Sequence, residues 1–145
     1  MVFYRIGLAR VGYGDNEGIY DREKIKRGFK TALKLNPENT NAMIGLASWY
    51  YYVPTVLGGN RKEAYRLVNK ALAARPNYTK ARMTKVEFLM EEKRYGEASR
   101  ELKNVVETRH PDYFGDSVEN KSLAKKLLKR LSRQNLSQNS LNQLN

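Results

Sequence analysis

The sequence has no cysteine and one histidine, His110. The first absence removes disulfides and thiolate metal sites, and leaves the redox compartment unmarked. The second leaves no histidine cluster for a metal and no imidazole pair for acid–base work, since His110 stands alone beside Pro111 in a turn. The paired glycines Gly58 and Gly59 lack the Lys-Ser/Thr that would make a phosphate loop. No catalytic residue, metal ligand or cofactor is therefore expected. Acids are scarce as well, with 15 Asp+Glu against 27 Lys+Arg and a formal charge of +12. No run approaches the roughly 18 apolar residues of a membrane-spanning helix. No signal peptide is visible, yet patterned sequence begins almost at Met1, which is compatible with a trimmed or mature piece. The sequence does not fix the compartment, which is the cytoplasm or, if a leader was removed, the periplasm.

What is present is a repeat. Two prolines close similar phrases, "FKTALKLNP" at Pro37 and "LVNKALAARP" at Pro76. Aligned on them, Ile25 falls on Ala64, Phe29 on Val68, Ala32 on Ala71 and Leu33 on Leu72. A third copy puts Ala98, Leu102, Val105 and Val106 in the same columns, with Pro111 one place late. The step from Ala64 to Ala98 is 34 residues, whereas that from Ile25 to Ala64 is 39, five longer. The preceding halves match too. "IGLA" occurs at Ile6–Ala9 and Ile44–Ala47, and Met83–Val86 takes that place in the third copy. Val11, Trp49 and Phe88 share a further column, as do Tyr13, Tyr51 and Met90. Gly7, Ala9, Gly45 and Ala47 stand where two helices would touch closely. Each unit reads as helix A, a turn, helix B and a proline that cannot continue a helix interior.

A helix–turn–helix unit of this length, with small residues in A, an alanine early in B and a closing proline, resembles the tetratricopeptide repeat (TPR). The resemblance spans repeats at about residues 3–37, 40–76 and 79–111. Leu46, Ala47, Tyr50, Ala64, Val68, Ala71 and Pro76 carry it in the second copy, and Ala81, Leu89, Tyr95, Ala98 and Leu102 in the third. Lys85 and Val86 depart from the expected Leu and Gly/Ala, and Gly12 stands in the aromatic column of the first copy. The implied fold is all-α, an α-solenoid of about three TPR-like helix pairs with a C-terminal capping helix, together occupying residues 1–134. Within such proteins, "VPTVLGGNRKEAYRLVNKAL" is similar to the T-component of tripartite ATP-independent periplasmic (TRAP) transporters and related bacterial TPR proteins. Pro54, Gly58, Gly59, Asn60, Ala64 and Ala71 carry that match. It implies a scaffold accessory to solute uptake, often lipoprotein-anchored and oligomeric, although the anchor cysteine has no counterpart here.

The stretch "WYYYVPTVLGGN" is then the A-to-B connection of the middle repeat, lengthened by the five extra residues. Trp49–Tyr52 are expected to extend helix A, and Pro54 to push Val53 out of the α region. Gly58 and Gly59 permit left-handed backbone. Asn60 is the expected cap of helix B, with Glu63 reaching back as a capping box. Asp21 is the expected cap in the first copy, and the Asn77-Tyr78-Thr79 sequon is read as a helix start. Beyond Pro111, "LAKKLLKRL" places Leu123, Leu127, Leu128 and Leu131 along one face with cations on the other, which predicts a capping helix at about 118–134. The Asn/Gln/Ser-rich tail 135–145 is expected to be disordered.

In stacked TPR-type pairs the A helices line a concave face. That resemblance implies partner-binding positions at Arg10 and Tyr13 in the first copy, at Asn41, Ile44, Ser48, Tyr51 and Tyr52 in the second, and at Met83, Glu87 and Met90 in the third. Tyrosine and arginine bury large surfaces while keeping a polar handle, which suits binding; simple packing is the competing reading for each tyrosine. The expected function is a non-catalytic helical-repeat scaffold that binds a peptide or partner protein through its concave A-helix face. The alternative is an accessory, T-component-like subunit of a bacterial solute-uptake system that binds a small ligand or transporter partner. Nucleic-acid binding ranks below both, since no base-reading pattern repeats and Glu87 and Glu91 stand in the groove. Self-association, and peripheral membrane contact through the basic C-terminal helix, are the remaining partner expectations.

Overall fold

The computed structural model describes residues 16–142, with side chains over 22–134. Among these residues there are six α-helices and no strand: α1 Asn16–Leu35, α2 Thr40–Tyr52, α3 Arg61–Ala74, α4 Thr79–Glu91, α5 Tyr95–Glu107 and α6 Phe114–Asn142. The chain divides into two compact units, Met1–Pro76 and Asn77–Asn145. The segment expected to form helix A of the first repeat lies outside the described residues, and with it Arg10 and Tyr13.

In the first unit α2 packs against both α1 and α3. The predicted seam is visible in the burial: Ala64, Val68 and Ala71 of α3 have no accessible surface, and Ala47 of α2 has none either. Gly45 explains the demand for small residues in helix A. A Cβ there would collide with the Phe29 ring, so the ring of α1 packs directly on the Gly45 backbone of α2 and would have to move for any larger residue. Asn39 caps α2 by accepting a hydrogen bond from the Ala42 N–H at 3.0 Å. Asp21 is not a cap, because α1 begins at Asn16 and runs straight through it.

The second unit repeats the seam at Ala98, Leu102 and Val105 of α5, all fully buried. Here α4 and α5 pair, and α6 packs on both through Ala124, Leu127 and Leu131. Asn120 donates to the Thr79 hydroxyl at 3.0 Å, tying α6 to the start of α4. The sequon does not act as a side-chain cap: the residue at the cap of α4 is Tyr78, with no side-chain bond, and the Asn77 carbonyl accepts from the Asp112 N–H instead. Helix α6 starts at Phe114, ahead of the expected 118, and its backbone stays helical to Asn142, past the expected limit at 134. Once a helix is nucleated on packed leucines, each added residue gains a backbone hydrogen bond that offsets the entropy of fixing it, so polar composition alone does not stop it.

Lys85, the departure from the repeat pattern, has a physical explanation. Its ammonium sits 2.9 Å from Glu101 of α5, which also binds Arg82 at 2.9 Å. An ion-paired triad thus occupies the position where a leucine would have packed. Burial is the largest influence on the Glu101 carboxyl and pushes its pKa up; the hydrogen bonds and charges of Lys85 and Arg82 together outweigh it, and the net shift is downward. A depressed carboxyl contributes stability that is present above its unfolded pKa and lost as pH falls through the folded one. Acidification from neutral pH to below the ordinary carboxylate range is therefore expected to destabilise the protein, and Glu101→Gln to flatten that slope. Urea midpoints measured across pH for both proteins check this.

The links differ in length as the repeat spacing requires. Three residues join α4 to α5 and eight join α2 to α3, a difference of five. The short link holds Lys93 at φ 59°, in the left-handed region that favours glycine. Arg94 N–H reaches the Leu89 carbonyl at 2.8 Å, closing a Schellman-type end to α4. Lys93→Gly is expected to stabilise the protein by about 1 kcal/mol, read as a raised denaturant midpoint.

Candidate functional site

The long link of the first unit is an ordered elbow. Helix α2 carries no charged residue and ends in Trp49, Tyr50, Tyr51 and Tyr52. Val53 turns extended at φ −75°, ψ 133°, as the following proline demands. The Pro54 carbonyl accepts from both Leu57 and Gly59, and Gly58 takes the left-handed conformation at φ 93°. Asn60 then starts α3, its side chain accepting from the Glu63 N–H at 3.0 Å. The reciprocal half of the expected capping box is absent. The Asn60 N–H donates to the Tyr50 carbonyl at 2.8 Å, and the Glu63 carboxylate is held by Arg66 at 2.6 Å. Only Gly58 uses left-handed backbone. Gly59 is needed for space, because a Cβ there would overlap the Val53 carbonyl oxygen.

This elbow encloses a hollow of about 490 Å³ lined by Tyr50, Tyr51, Tyr52, Val53, Pro54, Thr55, Gly59, Asn60 and Arg61. Its rings are braced edge-on: Tyr51 lies 5.1 Å from Tyr52 and 6.3 Å from Tyr65, centroid to centroid. The Arg61 guanidinium stands 5.0 Å from the Tyr51 ring, and the Lys26 ammonium lies 4.2 Å from the Trp49 ring on the α1 side. Both cations belong to a positive surround, since residues 22–76 hold eleven lysines and arginines against three acids. The same field reaches Glu63, whose pKa is lowered chiefly by its hydrogen bond to Arg66, then by the charges of Arg66 and Lys30. A site of this composition offers aromatic faces, phenol hydroxyls and a cation. Among the described residues no group of acids and histidine is placed to hold a metal ion.

Residues 57–113 match the family model of the tetratricopeptide repeat, from the elbow through α5 and into the link beyond it. That segment is TPR-like, and the adjacent helix pairs of the described residues are consistent with such a repeat. No curated protein and no solved structure matches it. TPR domains generally mediate protein interactions and are typically non-catalytic scaffolds, which fits a hollow of rings beside a cation. No helix among the described residues is long and apolar enough to cross a membrane.

The positions expected on the A-helix face separate by burial. Ile44, Tyr51 and Met83 are buried; Ser48, Tyr52, Glu87 and Met90 are half-buried; Asn41 is exposed. Tyr51 and Tyr52 converge on the elbow hollow with Arg61, while Met83, Glu87 and Met90 belong to α4 of the other unit. Sequence reasoning missed Arg61, Thr55 and Asn60 as hollow-lining residues. The signal was available in part: a helix B that opens with Arg61 one residue after its cap places that side chain at the mouth of the link. That the Tyr50 carbonyl would bind the Asn60 N–H, folding the link back into a hollow, has no marker in the residue types.

Proposed function

We propose that this TPR-like protein is a non-catalytic scaffold that binds a peptide segment of a partner protein, with the elbow hollow of the first unit as its anchor. The observation that carries this reading is the convergence of three consecutive tyrosines, Pro54 and the Arg61 guanidinium on one hollow held by backbone hydrogen bonds. Rings whose positions are already set lose little entropy on binding, and tyrosine and arginine are the residue types that dominate interface energetics. Asn41 and Ser48, on the accessible part of the same helix, extend the contact beyond the anchor. The test is affinity for peptides selected against the full chain from a random display library. Arg61→Ala is expected to weaken such peptides about tenfold, and Tyr52→Ala by at least as much. Selected peptides that bind both variants as tightly as the wild type would refute the assignment.

The size of the hollow favours one competing reading, the small-ligand accessory subunit, because cavities of roughly 300–1,000 Å³ suit small molecules. A panel of small organic anions decides between them. A rise in melting temperature that vanishes in Arg61→Ala, without any peptide selected, would favour the small ligand.

A further inference from the structure

The outer face of α6 is not explained by packing or by the hollow. The inner face is filled: Ser117, Ala124, Leu127 and Leu131 are buried. At 100° per residue, Phe114, Val118, Lys121, Lys125 and Lys129 fall within about 80° of one another, on a flank centred about 115° from that buried row. Widening the sector to about 140° takes in Lys126 and Arg133, and the exposed Glu119 lies about 20° beyond it. Phe114 and Val118, one helical turn apart on this flank, are 76% and 55% exposed, so two apolar side chains face solvent side by side. Their position is fixed, not frayed. Tyr113 is held against the buried Tyr78 ring at 5.0 Å, and the Ser117 hydroxyl donates to the Phe114 carbonyl at 2.7 Å.

We infer that this stripe is a docking surface for an anionic lipid bilayer, with Phe114 and Val118 entering the headgroup boundary and the lysines lying over acidic headgroups. The row from Phe114 to Lys129 is straight and about 22 Å long, suited to lying along a plane. Its cations are lysines, compact point charges on flexible stems. Interfaces between proteins are depleted in lysine and favour arginine for its rigid fork, whereas a fluid lipid surface needs only charge near it. Nucleic acid would engage the same lysines and has no use for an exposed valine beside them.

The experiment is co-sedimentation of the full chain with vesicles of phosphatidylserine and phosphatidylcholine, against phosphatidylcholine alone. Binding is expected with the mixed vesicles only, and to weaken at high salt. Changing Lys121, Lys125 and Lys129 together to glutamate should reduce partitioning on the order of a hundredfold, and Phe114→Ala should reduce it severalfold. A control variant with Arg27, Lys30 and Lys34 changed to glutamate carries the same net charge and should still bind; lysine-to-glutamine versions replace either triple if circular dichroism shows misfolding. The inference is overturned if neutral vesicles bind equally, if neither vesicle binds, if the control loses as much, or if single-stranded RNA or polyglutamate binds more tightly than the vesicles with no dependence on Phe114.

Discussion

Gly59→Ala is expected to destabilise the first unit by about 3 kcal/mol, the upper range for overpacking a site that cannot yield. The added Cβ would overlap the Val53 carbonyl oxygen, and would stand 2.6 Å from the Val53 carbonyl carbon and 3.1 Å from that of Pro54. All three are backbone atoms, and the backbone around them is tied twice. Gly59 N–H binds the Pro54 carbonyl at 3.0 Å, and Asn60 N–H binds the Tyr50 carbonyl at 2.8 Å. Relief requires breaking at least one of these bonds and prising α3 from the end of α2. Gly58→Ala provides the contrast. Its neighbours, Lys26 Nζ and Trp49 Cη2, lie at 3.4 and 3.5 Å, so space is sufficient and only the left-handed backbone is strained, a penalty of about 1–2 kcal/mol. Trp49 is the only tryptophan in the chain and lines this corner, so its fluorescence during urea unfolding reads both variants where the change is made. Equal destabilisation by the two would contradict the geometry. Gly59→Ala is also expected to abolish peptide binding at the elbow, since the hollow exists only while the link folds back.

Much of this was legible in the sequence, and the physical reasons are uneven. The seams of Ala64, Val68 and Ala71, and of Ala98, Leu102 and Val105, were readable because burial of a helix face imposes a 3.6-residue period that survives changes in side-chain size. The elbow's outline was readable because Pro54, Gly58 and Asn60 act through their own backbone geometry, which needs no distant partner. What depended on distant partners was not. Glu63 looked like half of a capping box, but Arg66 one helical turn along offered its carboxylate two hydrogen bonds, at 2.6 and 2.8 Å. Lys85 looked like a flaw in the repeat until Glu101, sixteen residues on, was found beside it. Lys93 gave no hint of its left-handed backbone, since a glycine would normally mark that position. The face assigned to binding was partly an interior. Ile44 and Met83 carry the same apolar character whether they meet a partner or their own fold, and periodicity does not tell the two apart.

Trp49→Ala is expected to remove about 4 kcal/mol, within the range for deleting a fully buried aromatic side chain. The indole is 1% exposed and forms the centre of a cluster with Val53, packed by Ile25, Tyr50 and Tyr52. Its Nε1–H donates to the Arg22 carbonyl at 2.8 Å, a buried bond that fastens α1 to the end of α2. Its ring meets Tyr50 edge-on at 5.4 Å and carries the Lys26 ammonium 4.2 Å from its centre. Trp49→Phe separates these contributions. Much of the packing and a face for Lys26 survive, while the Arg22 carbonyl is left without its indole donor, so about 1–2 kcal/mol should be lost. Set against the 5–15 kcal/mol typical of whole domains, the alanine variant leaves the first unit close to unfolding. Far-UV circular dichroism during thermal melting measures this without the tryptophan signal. A melting temperature unchanged in Trp49→Ala would mean that the aromatic cluster does not hold α1 to α2, and the elbow would then lack the rigid wall on which its hollow depends.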